Sequence, residues 1–398
     1  NIPEHALHEE GEHGEQDEHD TKTLENSDFE KTGYKIGLSK VEDWGYVGFS
    51  YADSSSTYGI PFHGDGHGDE HEEDHEEGHA SHEGERIFAD TNSETTNFEG
   101  SFNFNGGLVN TADFYIRRTS YDHTEQHAEE HGAHDDDHDE DHDEDHDEDH
   151  DGHGEGTLFT NVSTEFGLIL DIGSNNAIEK LSLNIAQEEF AINGHEAFLE
   201  ATQSDEITLG YFTSNKLDLA HIDFGLRYDR IERESASGSF KADLGSISAT
   251  ASRELYKDLG VSLGISSVLK APSTMELFVD GAHLVTQRYE VGDASLEPEK
   301  ATNIDLAFNT AVAGFDANLN LYRNNISNYI YLHDTETKKE DLIVSEYHQQ
   351  DAMFKGYELE LSRSLALENG SLEVSLGRDY VDAQFDQGGY IPRSVPTR

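Results

Sequence analysis

Apolar and polar residues alternate with a period of two along most of this chain. In Leu372-Glu-Val-Ser-Leu376, Tyr357-Glu-Leu-Glu-Leu361, Ile304-Asp-Leu-Ala-Phe308 and Phe315-Asp-Ala-Asn-Leu-Asn-Leu321, every second residue is apolar. That period places successive side chains on opposite faces of a β-strand. Clusters such as Asn105-Gly106-Gly107 and Asn369-Gly370 mark turns. All six prolines (Pro3, Pro61, Pro272, Pro298, Pro392, Pro396) fall outside the alternating runs, as intact strand ladders require. The pattern predicts about fourteen strands, at 33–41, 44–54, 95–105, 108–121, 157–170, 178–192, 205–213, 219–232, 238–253, 259–269, 302–312, 315–332, 346–363 and 370–385.

The predicted connections alternate short and long: a tight turn near 42–43, a loop near 55–94, a tight turn at 105–107, a loop at 122–156. Outer-membrane barrels have short periplasmic turns and longer external loops. An antiparallel transmembrane β-barrel is therefore the expected fold. In 372–376, Leu372, Val374 and Leu376 would meet lipid while Glu373 and Ser375 face inward. The 17 Tyr and 20 Phe suit interfacial girdles, although Trp44 is the single tryptophan. A soluble β-sandwich would also alternate, but needs neither so many strands nor long loops on one side. No run approaches the roughly 20 apolar residues of a membrane-spanning helix.

Three segments break the pattern. Residues 4–20 hold His5, His8, His13 and His19; residues 63–85 hold His63, His67, His71, His75, His79 and His82. Residues 122–155 hold His123, His127, His131, His134, His138, His142, His146, His150 and His153. These segments contain 19 of the 24 histidines and almost no aliphatic residues, so they cannot bury a core and are expected to be disordered external loops. Histidine recurs at every fourth position over 63–79, and Asp-Glu-Asp-His repeats over 138–150. A helix would stack those imidazoles on one face. The density of like charge favours a flexible chain with overlapping His/carboxylate clusters instead.

Composition decides what those clusters would hold. Lys plus Arg total 26 against 84 Asp plus Glu, a net charge of −58. Such a polyanion excludes nucleic acid as a partner and attracts cations. With no cysteine, thiolate zinc sites, iron–sulfur clusters and disulfides are excluded. Imidazole with carboxylate suits Zn2+, and also Cu2+ or Ni2+; intrinsic affinity does not choose among them. Capture should weaken below about pH 6, because an unperturbed histidine protonates near 6.5. An acidic run alone would read as a solvated tail, and the clustered histidines argue against that here.

The other histidines are scattered. His195 lies in Asn193-Gly-His-Glu-Ala-Phe198, just before Glu196, and His283 lies in Asp280-Gly-Ala-His-Leu284. Taken alone, both read as ordinary loop residues, while His333 and His348 read as surface or barrel-rim residues. With the external side assigned, His195, His283, His333 and His348 share it with the three clusters, and His221 lies near the other side. No Walker loop is present and no catalytic constellation stands out, so no enzyme is expected.

Residues 269–306 carry a family resemblance. Leu269-Lys-Ala-Pro-Ser-Thr-Met-Glu-Leu-Phe278 resembles the R-A-P-x-x-x-E-L-F element of TonB-dependent outer-membrane receptors, with Lys270 in place of arginine. Gly281-Ala-His-Leu284, Tyr289-Glu-Val-Gly-Asp293 and Leu296-Glu-Pro-Glu-Lys300 are similar to its G-P-H-L, Y-E-x-G-N and L-x-P-E-K elements, and Tyr390–Arg398 to its L-P-R-I-P-P-x-R. Thr57-Tyr-Gly-Ile-Pro61 before a His-rich loop, with Tyr329-Ile-Tyr-Leu332, looks most like the family's zinc-uptake members. The resemblance implies a barrel of 22 strands around an N-terminal plug, with transport driven through the TonB–ExbB–ExbD complex. By that comparison residues 1–398 are an internal piece, about fourteen strands without plug or closing strands, and not a competent transporter alone. It also implies a metal site in which Glu196 and His283 match the family's loop ligands, His195 replaces a glutamate, and plug ligands are missing. The expected function is uptake of zinc or a similar divalent metal, with the bacterial outer-membrane lipid around the barrel and the His-rich loops extracellular. Uptake of a metal complex or haem, and a surface metal buffer without transport, are the competing readings.

Overall fold

The computed structural model describes residues 26–60, 86–104, 106–128, 156–174, 177–194, 197–256, 258–283, 286–312 and 314–392. Fourteen long strands follow one another in sequence order. They are β1 (Phe29–Glu42), β2 (Gly45–Gly59), β3 (Arg86–Asn103), β4 (Thr111–Ala128), β5 (Thr157–Asp171), β6 (Ala177–Asn193) and β7 (Thr202–Lys216), then β8 (His221–Ser235), β9 (Gly238–Tyr256), β10 (Leu259–Lys270), β13 (Glu299–Val312), β14 (Phe315–Lys339), β15 (Leu342–Leu367) and β16 (Gly370–Phe385). Each pairs antiparallel with the next. Between β10 and β13 lie a one-turn helix, α1 (Thr274–Phe278), and two short strands, β11 (Asp280–His283) and β12 (Arg288–Val291). β11 pairs with β12, and β12 joins β15 in parallel, giving a 16-stranded sheet. The described residues contain no helix long and apolar enough to cross a membrane.

Register explains the alternation. Leu168 lies opposite Leu183, Leu183 opposite Leu209, and Leu209 opposite Tyr228, so one face presents a continuous apolar band. Leu209 stays 49% exposed in the middle of the sheet. An exposed apolar surface of that extent is what a barrel offers to hydrocarbon. The opposite face is polar and hydrogen-bonded: Thr208 donates to Asp229 (2.6 Å), Arg227 pairs with Asp229 (2.8 Å), and Asn184 donates to the Tyr115 hydroxyl (3.1 Å). Leu372, Val374 and Leu376 are 47%, 54% and 66% exposed, but Glu373 and Ser375 between them are exposed as well, because β16 pairs only with β15 among the described strands.

The fourteen expected strands all form, and the differences lie at their upper ends and in the insert. The loop expected near 55–94 shrinks to 60–85, because β2 and β3 pair as far as Gly59↔Phe88. Those ends are polar on both faces and so lack the alternation signal. Their side chains hydrogen-bond across strands instead, Ser56 with Thr91 and Thr57 with Asp90. The segment expected as a loop from 122 is strand through Ala128, which places His123 and His127 on β4. The expected loop between 332 and 346 is also strand, closed by Glu340 and Asp341 at φ 53° and 61°. Two residues with positive φ make the tight turn that matches strand twist. β14 and β15 run 25 and 26 residues, whereas crossing the hydrocarbon takes roughly 9–11. The pair is therefore an arm standing well beyond the membrane.

The strand count rises from fourteen to sixteen because β11 and β12, at four residues each, are too short to show a period. Their insert folds back onto the polar side of the sheet. Leu277, Phe278, Val279 and Leu296 bury against Ile192, Phe198, Leu199 and Ile330, the main buried cluster among the described residues. Ser273 caps α1, taking the Glu276 N–H (3.2 Å) while its own N–H donates to the Glu276 carboxylate (2.7 Å). This capping box is worth about 1 kcal/mol. Glu276→Ala should therefore lower stability by about that much and speed proteolytic cleavage within 271–298; an unchanged cleavage rate would show that the cap is idle.

Candidate functional site

The insert and the arm bring one predicted ligand into a defined setting. His283 ends β11, and its Nδ1 lies 3.2 Å from Oε1 of Glu290 on β12. The pairing follows from the β11–β12 hairpin, whose register sets His283 opposite Arg288. Glu290 is 4% exposed, and Thr286 also donates to its Oε1 (3.0 Å) and to the His283 carbonyl (3.0 Å). The His283 ring stacks on Phe198, with centres 4.4 Å apart and planes 22° apart. Gly281 makes that approach possible, since a Cβ there would lie 2.7 Å from the Phe198 Cα.

The hairpin is pinned to the arm. Arg288 donates twice to Asp334 (2.9 Å each), Ser345 donates to the same carboxylate (2.7 Å), and Lys339 sits 3.8 Å over the Tyr289 ring. The Asp334 hydrogen bonds hold the Arg288 guanidinium above its ordinary pKa. Gln349 exchanges two hydrogen bonds with the Glu297 backbone (2.7 and 2.9 Å). The motif Leu296-Glu-Pro-Glu-Lys300 is thus partly a fastening: its Glu299 takes the Ile330 N–H (2.8 Å) and the Lys270 ammonium (3.3 Å).

Along the same rim runs a series of rings. Phe198 meets Phe159 (6.1 Å), Phe159 meets His123 (5.4 Å), and His123 stacks with Tyr58 (6.2 Å) and Tyr121 (6.4 Å). His123 Nε2 lies 3.2 Å from Glu125, while its Nδ1 is buried without a hydrogen-bond partner. Burial raises the Tyr58 hydroxyl above its ordinary pKa. Sequence reasoning missed both Glu125 and Glu290 as histidine partners. The spacing His-x-Glu at 123–125 was a usable signal, but it was masked by the surrounding acidic repeats.

Of the other expected ligands, His195, Glu196, His63, His67, His71, His75, His79, His138, His142, His146 and His150 lie outside the described residues. The segment Ala197–Phe198 that follows Glu196 is described, and it sits against His283. Among the described residues no three His, Asp or Glu side chains converge tightly enough to hold a metal as they stand. At the opposite end of the sheet, His221 has Ser214 (2.8 Å) and Asp223 (3.0 Å) near it. Both address Nε2, so no Ser–His–Asp relay exists there, which needs the two ring nitrogens separately engaged.

The family model described as "TonB dependent receptor-like, beta-barrel" matches residues 18–398. The chain belongs to that family. The family is one of outer-membrane receptors rather than enzymes. Among solved structures, the chain is similar to the copper transporter OprC, at 10% identity and a TM-score of 0.67 over 90% of this chain and 54% of that one. It is also similar to the FrpB iron transporter from Neisseria meningitidis, at 14% identity and a TM-score of 0.63 over 92% and 54%. A third match is the siderophore receptor PirA from Pseudomonas aeruginosa, at 15% identity and a TM-score of 0.58 over 90% and 57%. At these identities the likeness is one of fold. The chain spans about half the length of these relatives.

Proposed function

We propose that this chain forms barrel strands of an outer-membrane receptor that takes up zinc or a similar divalent metal. The observation that carries the reading is the His283–Glu290 pair, held at the end of the sheet that bears the 60–85 and 129–156 connections. A histidine with one nitrogen on a buried carboxylate is oriented for a metal on the other. Glu196 supplies a second ligand: two residues of chain span at most about 7 Å, and Phe198 already touches the His283 ring. His195 can add a nitrogen. The plug of the full-length receptor supplies the remaining donors and engages the TonB–ExbB–ExbD complex.

The histidine-rich segments, extracellular in this reading, are a low-specificity collector. Residues His63 to His79 and His138 to His150 raise the local metal concentration beside the tighter site. Zn2+ fits this donor set, and Cu2+ or Ni2+ fits it too. The copper transporter OprC and the FrpB iron transporter have the same fold.

The ring series from Tyr58 to Phe198 favours one second reading. Flat aromatic walls beside histidines suit a planar metal complex such as haem, and the hemophore receptor HasR shares the fold. A calorimetric titration separates the two. The full-length receptor, shortened by removal of 61–85 and 129–155, should lose most of its metal capacity yet keep one tight zinc at pH 7.5. These cuts spare His123 and His127, which belong to β4. No zinc binding together with tight haem binding would replace the first reading with the second.

A further inference from the structure

We propose that the β14–β15 arm carries a second transition-metal site, formed by His333, His348 and Glu346 and separate from the His283 pair. The register sets Tyr331 opposite His348 and His333 opposite Glu346, so all four side chains share one face of the arm. The His333 and His348 ring centres are 5.6 Å apart. Two imidazoles on one tetrahedral zinc, with Zn–N near 2.1 Å, have ring centres roughly 5 Å apart. The strand pairing therefore spaces the rings for a shared ion.

Glu346 completes the donor set. Its Oε2 now lies 3.4 Å from His348 Nε2, which is why the three donors do not converge as they stand. Both side chains are 45% exposed, so a carboxylate turn and a ring rotation need no unpacking. Beneath them the surface is fixed. Tyr331 lies 6.2 Å from His348 and 6.4 Å from His333, and it packs on Phe385 at 4.7 Å.

Alternation separates this site from the first. Asp334 and Ser345 point to the other face, where they hold Arg288 and hence the hairpin that bears His283. Two imidazoles and one carboxylate suit Zn2+ or Cu2+, with water in the fourth position. Ca2+ is not suited, because it takes six to eight oxygen ligands. A bound ion would cross-link β14 to β15 on the face opposite the Arg288–Asp334 clamp.

The test uses the full-length receptor in detergent, with His283→Ala in every sample and the three histidine-rich segments shortened. Failure of the His283 reading then leaves the result untouched. Co2+ is the probe, since a tetrahedral nitrogen/oxygen site gives intense visible absorption. The parent should bind one equivalent with that signature. His333→Asn or His348→Asn should weaken binding at least about tenfold, Glu346→Gln by a similar factor, and the double histidine variant should lose the signature. Heat-modifiable gel migration confirms that each barrel is folded. A parent that binds no Co2+, or a folded double variant that binds it as the parent does, would overturn the proposal.

Discussion

His283→Ala in the full-length receptor, with 61–85 and 129–155 removed, is expected to weaken zinc binding by about 100-fold or more. Four-ligand zinc sites are worth roughly 10–16 kcal/mol in total, so one imidazole contributes about 3 kcal/mol. Each 1.4 kcal/mol is about tenfold in affinity. The loss should appear in titration and in zinc-limited growth, because among the described residues no other histidine stacks on Phe198. His123, the nearest along the ring series, is separated from His283 by Phe159 and Phe198. Glu290→Gln should cost about 10–100-fold, as loss of a carboxylate behind a ligating histidine does. His221→Ala is the control, since its contacts are with Ser214 and Asp223 at the far end of the sheet. Equal zinc affinity in His283→Ala and wild type would remove the main support for metal uptake through this site.

Gly281→Val should damage the same site without touching a ligand. Any Cβ at 281 meets Phe198 at 2.7 Å from its Cα and 2.8 Å from its Cβ. Backbone cannot yield as a flexible side chain can, so the 197–201 segment must move away. That move breaks the Asp280 N–H bond to the Phe198 carbonyl (3.0 Å) and unstacks the His283 ring. Overpacking of this kind costs about 1–3 kcal/mol. Zinc affinity should fall at least tenfold, roughly the loss seen when a ligand's supporting contact is removed, together with a lower melting temperature. Gly245→Val is the matched control, because a Cβ there meets nothing within 4 Å. If both variants melted and bound zinc alike, Gly281 would have no special part in seating the site.

The strands were legible in the sequence because strand periodicity is a local property. A residue's face follows from its neighbours two positions away, so Leu372, Val374 and Leu376 declare one face with no knowledge of what they pair with. The same locality failed where both faces are polar. At Ser54–Ser56 and Thr335–Thr337 no alternation remains to be read, and cross-strand hydroxyl contacts, Ser56 with Thr91 and Thr335 donating to the Val344 carbonyl, made strand of what looked like loop. It failed again for β11 and β12, which exist because the insert docks on Phe198 and on the arm.

Chemistry divides in the same way. The absence of cysteine, the charge of −58 and the four-residue histidine spacing by themselves pointed to a cation held by nitrogen and oxygen donors, the ligand class proposed above. Which histidines have partners could not be read from them. Glu290 reaches His283 through a hairpin turn, and His333 comes beside His348 through pairing across fifteen residues of chain. Those meetings depend on register, and register is set by hydrophobic matching and turn geometry over whole strands. The sequence determined the strands of a β-barrel chain; the tertiary structure decided which side chains stand near one another, because only strand pairing and insert docking bring distant side chains within a few ångströms.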